Sequence, residues 1–137
     1  MLHHKHSLFK DGVQADGVVL KEARDEREES KVHLEIGVAF EDGTRTTFTE
    51  NVHRWHEVPE HTWKQLGALD NSEYARLLIY THSPGNKIPV RYDPKDRTKI
   101  VVDEPAMQQQ AIQQEMAQQD ARRERQQAQL NKVWPPN

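Results

Sequence analysis

The histidines that follow residue 52 are the side chains best suited to chemistry in this sequence. His53 and His56 lie three residues apart, and His61 follows with Glu60 beside it. Histidines at positions i and i+3 of a helical turn can face one metal ion, and a carboxylate can complete the set. We therefore predict a histidine-based metal site at these three histidines. The competing interpretation is that they are ordinary surface or capping residues, because Pro59 interrupts the run and the order of a zinc protease motif is absent.

A second group of histidines stands at the start of the chain, at positions 3, 4 and 6. No apolar pattern accompanies them, so we expect residues 1–11 to form a flexible N-terminus. Such a terminus could chelate nickel through its composition alone, without a built site.

Four large aromatic side chains are concentrated between residues 51 and 83. They are Trp55, Trp63, Tyr74 and Tyr80. Aromatic residues give a large contact area at a small entropic cost, so the cluster predicts a surface that binds a protein partner. The alternative is that these side chains close an open end of the protein core.

A third group could contact nucleic acid. Lys87, Arg91, Tyr92 and His33 would supply charge and stacking if they lay on the exposed faces of strands, as in an OB-like binder of single strands. The net charge of the chain is -3, however, and binding to phosphates needs a concentrated basic surface. We therefore do not expect nucleic acid as the main partner.

The sequence contains no recognisable set of catalytic residues. The glycines are scattered along the chain, so no phosphate-binding loop is present, and the serines lack the context of a nucleophile elbow. The chain has no cysteine, which excludes disulfides, thiolate zinc sites and cysteine nucleophiles. We expect a protein that is not an enzyme and that uses no cofactor.

The clearest structural element is a strand that begins near residue 32. Apolar residues occupy every second position, which is the pattern of a strand with one buried face: Val32, Leu34, Ile36, Val38 and Phe40. Asp42 and Gly43 then predict a tight hairpin turn, and residues 44–49 form the returning strand.

Three further strands are predicted. Residues 12–20 read as a first strand, with a bulge or bend at its glycines and with Ala15, Val18 and Leu20 pointing inward. Residues 87–93 and 98–102 flank a turn, and Pro89 places the former at a sheet edge or at a strand's beginning. Short antiparallel strands that share one core predict a mainly β fold, a small antiparallel β-barrel or sandwich.

Two helical regions are expected around this β-rich domain, which we assign to residues 12–104. A helical insertion is predicted at about residues 58–80, although its Leu-Leu-Ile-Tyr end at residues 77–80 is equally typical of a strand. From Pro105 the chain is rich in glutamine, and residues 105–137 are predicted as a helical tail. Its small apolar residues favour a partly docked helix over a homo-oligomeric coil through residues 105–132.

The length of 137 residues allows one modest core with an appendage. No stretch approaches the roughly 20 apolar residues of a transmembrane segment, and the N-terminus has no apolar signal region. We expect a cytoplasmic protein.

Three stretches of the chain carry a resemblance to a known family. They are Gly12-x-x-Ala15-x-Gly17-Val18-Val19, then Val38-x-Phe40-x-x-Gly43 with Phe48, and finally residues 84–96 from Pro84-Gly85-Asn86 through Val90-Arg91-Tyr92-Asp93-Pro94 to Asp96, followed by Ile100-Val-Val. Together they resemble the bacterial domain-of-unknown-function family numbered 3592, over residues 12–103. The most specific part is the Val-x-Tyr-Asp-Pro segment.

The resemblance implies a small β-domain without established catalysis, so it supplies an architecture and no mechanism. Two features depart from the family. Many of its members carry flanking transmembrane helices, whereas this sequence has none, and residues 51–83 are longer and more helical than the usual connection. In this sequence Asp93 and Asp96 suit turns, since their carboxylates can accept backbone N–H bonds.

These observations predict a non-catalytic protein-interaction or scaffold module with an unknown protein partner. The aromatic residues of the insertion, the helical tail, or both would contact that partner. The two alternatives are an OB-like binder of single-stranded nucleic acid and a histidine-based metal-binding protein.

Overall fold

The computed structural model describes residues 8–59, 61 and 77–136. The elements are β1 (Val13–Arg24), β2 (Lys31–Ala39), β3 (Arg45–His53), β4 (Trp55–Glu57), β5 (Leu77–Ile79), β6 (Lys87–Asp93), β7 (Asp96–Val102) and helix α1 (Glu104–Val133). No helix within the described ranges is long and apolar enough to span a membrane.

The chain divides into two compact units. The first, called the body here, comprises Met1–His56 and Ile79–Gln108, and the second comprises Glu57–Leu78 and Gln109–Asn137. In the second unit, the side chains of α1 beyond Asp120 are exposed. The body carries the five-stranded sheet.

The sheet has the strand order β3-β2-β1-β6-β7, and each neighbouring pair is antiparallel. Its two outer strands, β3 and β7, approach each other, and the backbone N–H of Val102 donates to Oε1 of Glu50 at 3.2 Å. The sheet is therefore a nearly closed, barrel-like structure, which confirms the predicted antiparallel β fold with a C-terminal helix. Strands β4 and β5 form a separate two-stranded sheet.

The core lies on the inner face of this sheet. It contains all five alternating residues predicted from residue 32 onward, and the pairing of β2 with β3 confirms the predicted hairpin. The other buried members come from the remaining strands and from the start of α1: Val19, Val52, Ile88, Val90, Ile100, Val102 and Met107.

The inward face of β1 differs from the prediction. Ala15 packs against the core as expected, but Val18 and Leu20 are 38% and 44% exposed, and Val19 is buried instead. Gly17 takes the inward position before Val19. A residue with a side chain would not fit there without a shift, because its Cβ would lie 2.7 Å from the side chain of Ile36. The bulge of β1 falls after Val19, beyond the glycines.

Strand β6 is an internal strand, with β1 on one side and β7 on the other, so of the two positions predicted for Pro89, a sheet edge or a strand's beginning, the edge is wrong. Pro89 is nevertheless near the beginning of β6. Its carbonyl accepts the N–H of Asp103 at 2.9 Å, and Asp103 lies just past the end of β7. The N–H that proline lacks would therefore point to a place where the ladder between β6 and β7 has already ended.

Two segments differ from their predicted character. Leu77–Ile79, the end of the predicted helical insertion, is strand β5, while residues 62–76 lie outside the described part of the chain. The N-terminal segment was predicted to be flexible, but residues 8–11 are helical and Leu8 is buried. Residues 1–7 lie outside the described ranges.

Helix α1 begins at a buried carboxylate. Asp103 is only 3% exposed, and its Oδ1 accepts the backbone N–H of Ala106 at 3.1 Å as a helix cap. Its Oδ2 accepts Nε of Arg91 at 2.7 Å, and Arg91 also donates to the carbonyl of Gly12 at 3.1 Å. Asp103 therefore fixes the start of α1 to strand β6.

We predict that Arg91→Ala lowers the free energy of unfolding by about 3 kcal/mol, because it leaves the buried Asp103 carboxylate without its cation. Urea denaturation measures this change. Lys87→Ala removes an exposed positive charge from the same strand and should change stability by less than about 0.5 kcal/mol. Equal effects of the two substitutions would contradict the structural role of Arg91.

A second prediction concerns Asp42 in the turn between β2 and β3. Its carboxylate accepts bonds from the Thr44 hydroxyl at 2.6 Å, from Arg97 at 2.8 Å and from the Thr44 backbone N–H at 3.1 Å. These bonds hold the pKa of Asp42 well below its ordinary value of 3.8. The stabilisation is therefore complete above the unfolded-state pKa and is lost as the pH falls below it.

Asp42→Asn should consequently destabilise the protein at pH 7, and the difference from the wild type should shrink between about pH 4 and pH 2. Chemical denaturation at a series of pH values measures it. The control is Asp16→Asn, which changes an exposed aspartate on β1 and should have no such effect. A difference that stayed constant down to pH 2 would overturn this account.

Candidate metal centre

The centre begins with a contact between the end of β3 and the start of α1. The carboxylate of Glu104, the first residue of α1, accepts the backbone N–H of His53 at 3.0 Å. The same carboxylate contacts Nδ1 of His53 through both oxygens, at 3.1 Å and 2.9 Å. Both side chains are partly exposed, at 39% for His53 and 23% for Glu104. The carboxylate is therefore held in place while solvent still reaches it.

His56 on β4 completes the group. Its Nε2 lies 3.9 Å from Oε2 of Glu104, and its ring centroid lies 5.0 Å from that of His53. Its other ring nitrogen, Nδ1, is 2.5 Å from the hydroxyl of Tyr80. The tyrosine thus fixes the orientation of the His56 ring and leaves Nε2 directed toward Glu104.

The three side chains match the spacing of metal ligands. One donor atom from each of His53, His56 and Glu104 lies within 4.8 Å of the others. Ligand atoms about 2.1 Å from a tetrahedral zinc ion are about 3.4 Å apart. The separations of 2.9 Å and 3.9 Å from Oε2 of Glu104 lie on either side of that value. Small side-chain rotations would therefore let one ion contact all three residues.

Two buried or half-buried rings support the ligands from behind. His82 is 6% exposed, and its Nε2 lies 3.0 Å from the backbone carbonyl of His53. Its ring stacks on Tyr80, with centroids 5.8 Å apart. The backbone N–H of Tyr80 donates to the carbonyl of Arg54 at 2.9 Å, which fixes the tyrosine beside the chain between the two ligand histidines. Outer contacts of this kind orient ligands in metal sites.

The environment of His56 favours the uncharged form of its ring. Burial lowers the pKa of His56, the charge of Glu104 opposes that shift, and His53 lowers the pKa further. Burial and the charge of Glu104 both raise the pKa of Tyr80. At neutral pH His56 is therefore an uncharged imidazole, the form that binds metals, and Tyr80 keeps its hydroxyl proton.

Two of the three predicted metal ligands come together in the structure, and the third ligand is a different residue from the one predicted. His53 and His56 share the centre, whereas His61 is exposed, belongs to the second unit and is not in the group. Glu104 takes the third position. No local pattern indicates Glu104 as a ligand, because it is 48 residues beyond His56 and is brought there by the cap on α1.

The predicted aromatic surface is represented by two of its four members. Trp55 is half-buried, with the guanidinium of Arg54 5.6 Å from its ring centre. Tyr80 contacts His56 and belongs to the metal centre. Trp63 and Tyr74 lie outside the described part of the chain.

The predicted nucleic-acid residues do not form one exposed surface. The ring of Tyr92 packs on the core and meets the ring of Phe40 edge-on, with centroids 4.9 Å apart. It therefore does not lie on an exposed strand face, contrary to the prediction. Arg91 is engaged by Asp103. His33 is exposed and its Nδ1 contacts Asn51 at 2.8 Å, while Lys87 is exposed at the start of β6. The alternation of β6 places Tyr92 inside and its neighbour Arg91 outside, which explains the difference.

Comparisons of this chain with protein-family models, with curated proteins and with solved structures find no match.

Proposed function

We propose that the protein binds a divalent transition-metal ion of the zinc class through His53, His56 and Glu104. The observation that carries the proposal is the convergence of two imidazoles and one carboxylate, with donor atoms within 4.8 Å, from separate elements of the body. The contacts of Tyr80 and His82 hold the two histidines in place before any ion arrives.

The ligand types indicate the class of ion. Imidazole nitrogen suits zinc and neighbouring transition metals, whereas magnesium and calcium prefer sites made of oxygen alone. Two histidines and a glutamate provide three protein ligands, so a fourth position remains for water or another ligand. The partial exposure of the three side chains gives that ligand access from solvent.

A purely structural role is the main alternative. In that case the Glu104–His53 contact would only attach the start of α1 to the end of β3. That alternative does not need His56, whose Nε2 is 3.9 Å from the carboxylate, beyond hydrogen-bond distance. Measured metal binding separates the two roles.

We predict stoichiometric binding of Zn²⁺ that is lost in Glu104→Gln and in His56→Ala. Tyr80→Phe should weaken binding about tenfold or more, because it removes the outer contact that orients His56. Isothermal titration of the full chain with Zn²⁺ measures both effects. At a free Zn²⁺ concentration 100 times the dissociation constant, the ion should raise the free energy of unfolding by about 2.7 kcal/mol.

All proteins in this titration carry alanine at positions 3, 4 and 6, so that the N-terminal histidines contribute no binding. The matched control is His33→Ala, which removes an exposed histidine of the same sheet and should leave the affinity unchanged. Retention of full Zn²⁺ affinity in Glu104→Gln, or loss of affinity in His33→Ala, would rule out the proposed centre.

A protein-interaction role is the second candidate, and the end of α1 supports it. Leu130, Val133 and Trp134 are 54%, 73% and 78% exposed. Their spacing of i, i+3 and i+4 places them on one side of the helix, because the N–H of Trp134 still bonds to the carbonyl of Leu130 at 2.7 Å. This is the pattern of an apolar helix face that inserts into a groove of another protein.

The charges near this face indicate the partner's chemistry. Four basic residues and one acidic residue occupy residues 121–133, namely Arg122, Arg123, Arg125, Lys132 and Glu124. An apolar groove bordered by carboxylates on a different protein would complement the face. The alternative occupant is a second copy of this chain, which corresponds to the less favoured prediction of a homo-oligomeric coil through residues 105–132.

We predict that a photocrosslinker at Gln129 forms a discrete adduct with one protein partner. The purified partner should then bind the full chain at least about tenfold more tightly than it binds the Leu130→Ser/Trp134→Ser variant, and more weakly as salt increases. A crosslinker at Gln113 is the control position. Adducts that persist in the double variant would contradict this role, and sedimentation of the chain alone would reveal self-association as the alternative.

Three further expectations from the sequence also stay proposals. They are the resemblance to family 3592, the bacterial origin that it implies and a cytoplasmic location. The most specific segment of that resemblance forms the turn between β6 and β7. Asp93 accepts the N–H of Lys95 at 2.8 Å, and Asp96 accepts the N–H of Thr98 at 3.1 Å. Both aspartates therefore act as turn formers, the role that their positions in the sequence predicted.

A further inference from the structure

A polar cleft of about 210 Å³ lies in the body, apart from the three proposed metal ligands. It is formed by the end of β1, the start of β2, the residue between β3 and β4, and the segment after β5. The residues that line it include Glu22, Arg24, Arg54, Thr81, His82 and Ser83.

Two guanidinium groups dominate the chemistry of the cleft. Arg24 ends strand β1, and Arg54 follows β3. Nη1 of Arg54 donates to the carbonyl of Glu29 at 3.0 Å, and its guanidinium lies 5.6 Å from the ring centre of Trp55. Arg54 is thus positioned by protein contacts before a ligand binds. Guanidinium groups match the geometry of phosphate and carboxylate oxygens.

The remaining polar groups of the cleft suit the same kind of ligand. Thr81 and Ser83 offer hydroxyl groups, which can donate to an oxyanion. His82 is buried and donates the proton on Nε2 to the His53 carbonyl, so its Nδ1 is an acceptor and His82 is not counted among the donors to the ligand. Glu22 is the one acidic residue of the lining, so two arginines and one glutamate give the cleft a formal charge of +1.

From this lining and size we infer that the cleft binds one small oxyanion, such as inorganic phosphate or the phosphoryl group of a larger ligand, between Arg24 and Arg54. The volume of about 210 Å³ is below the range of about 300–1,000 Å³ for drug-sized ligands, so only a small group fits inside. None of the three proposed metal ligands lines the cleft, but Tyr80 and His82, which contact the two ligand histidines, border it. The substitutions that test the inference are therefore made at Arg54 and Glu22, which are not metal ligands.

Titration of the ¹⁵N-labelled full chain with sodium phosphate, at constant ionic strength set by chloride, tests this inference. Amide signals of residues 81–83 should shift in a saturable way. Arg54→Gln should weaken binding at least tenfold, and Glu22→Gln should strengthen it several-fold, because it removes the opposing carboxylate. Thermal denaturation of each variant establishes that it folds.

The matched control is Arg45→Gln, which removes an exposed arginine of β3 outside the cleft and should leave the affinity unchanged. A second titration with O-phosphoserine distinguishes the two sources: binding of phosphate alone supports a free anion, and binding of both supports a phosphorylated ligand. Shifts that do not saturate, equal weakening by Arg45→Gln, or weaker binding by Glu22→Gln would overturn the inference.

Discussion

The buried carboxylate of Asp103 is the constraint on which the functional part of the body depends. It accepts Arg91 from β6 and caps α1 through Ala106, so one side chain joins the sheet to the helix. Burying a carboxylate is costly unless it is paired and hydrogen-bonded, and Asp103 meets both conditions. Because α1 starts at this fixed point, the next residue, Glu104, lies against the end of β3 and meets His53.

The same arrangement explains how residues 53–56, Tyr80 and Glu104, which are far apart in the sequence, form one polar cluster. His53 ends β3, His56 lies on β4, and Tyr80 follows β5, where its N–H bonds to the carbonyl of Arg54. The two histidines are not members of the apolar core of the sheet, whereas Tyr80 packs against that core. Tyr80 therefore connects the core to the histidines, and the groups that order this region are also those that can bind a ligand.

Local patterns in the sequence predicted the parts of the fold that depend on neighbouring residues. The alternation from Val32 to Phe40 and the Asp42–Gly43 turn both appear in the structure, because period and turn chemistry are local properties. The face of β1 was wrong at Val18 and Leu20. The close approach of Ile36 to Gly17 decides that face, and a contact between strands cannot be read from one strand alone.

The candidate site shows the same limit, since its histidines were predictable and its carboxylate was not. His53 and His56 are neighbours in the sequence, but Glu104 joins them only after the sheet has closed and α1 has been capped. Arg91 is the opposite case, a residue predicted from the sequence to contact a ligand that the structure instead pairs with Asp103. The two carboxylates of this region therefore differ in burial. The side chain of Asp103 is 5% exposed and, paired with Arg91, fixes the helix. That of Glu104 is 23% exposed and stays accessible together with His53 and His56, which is the condition under which a side chain can still exchange a protein contact for a ligand.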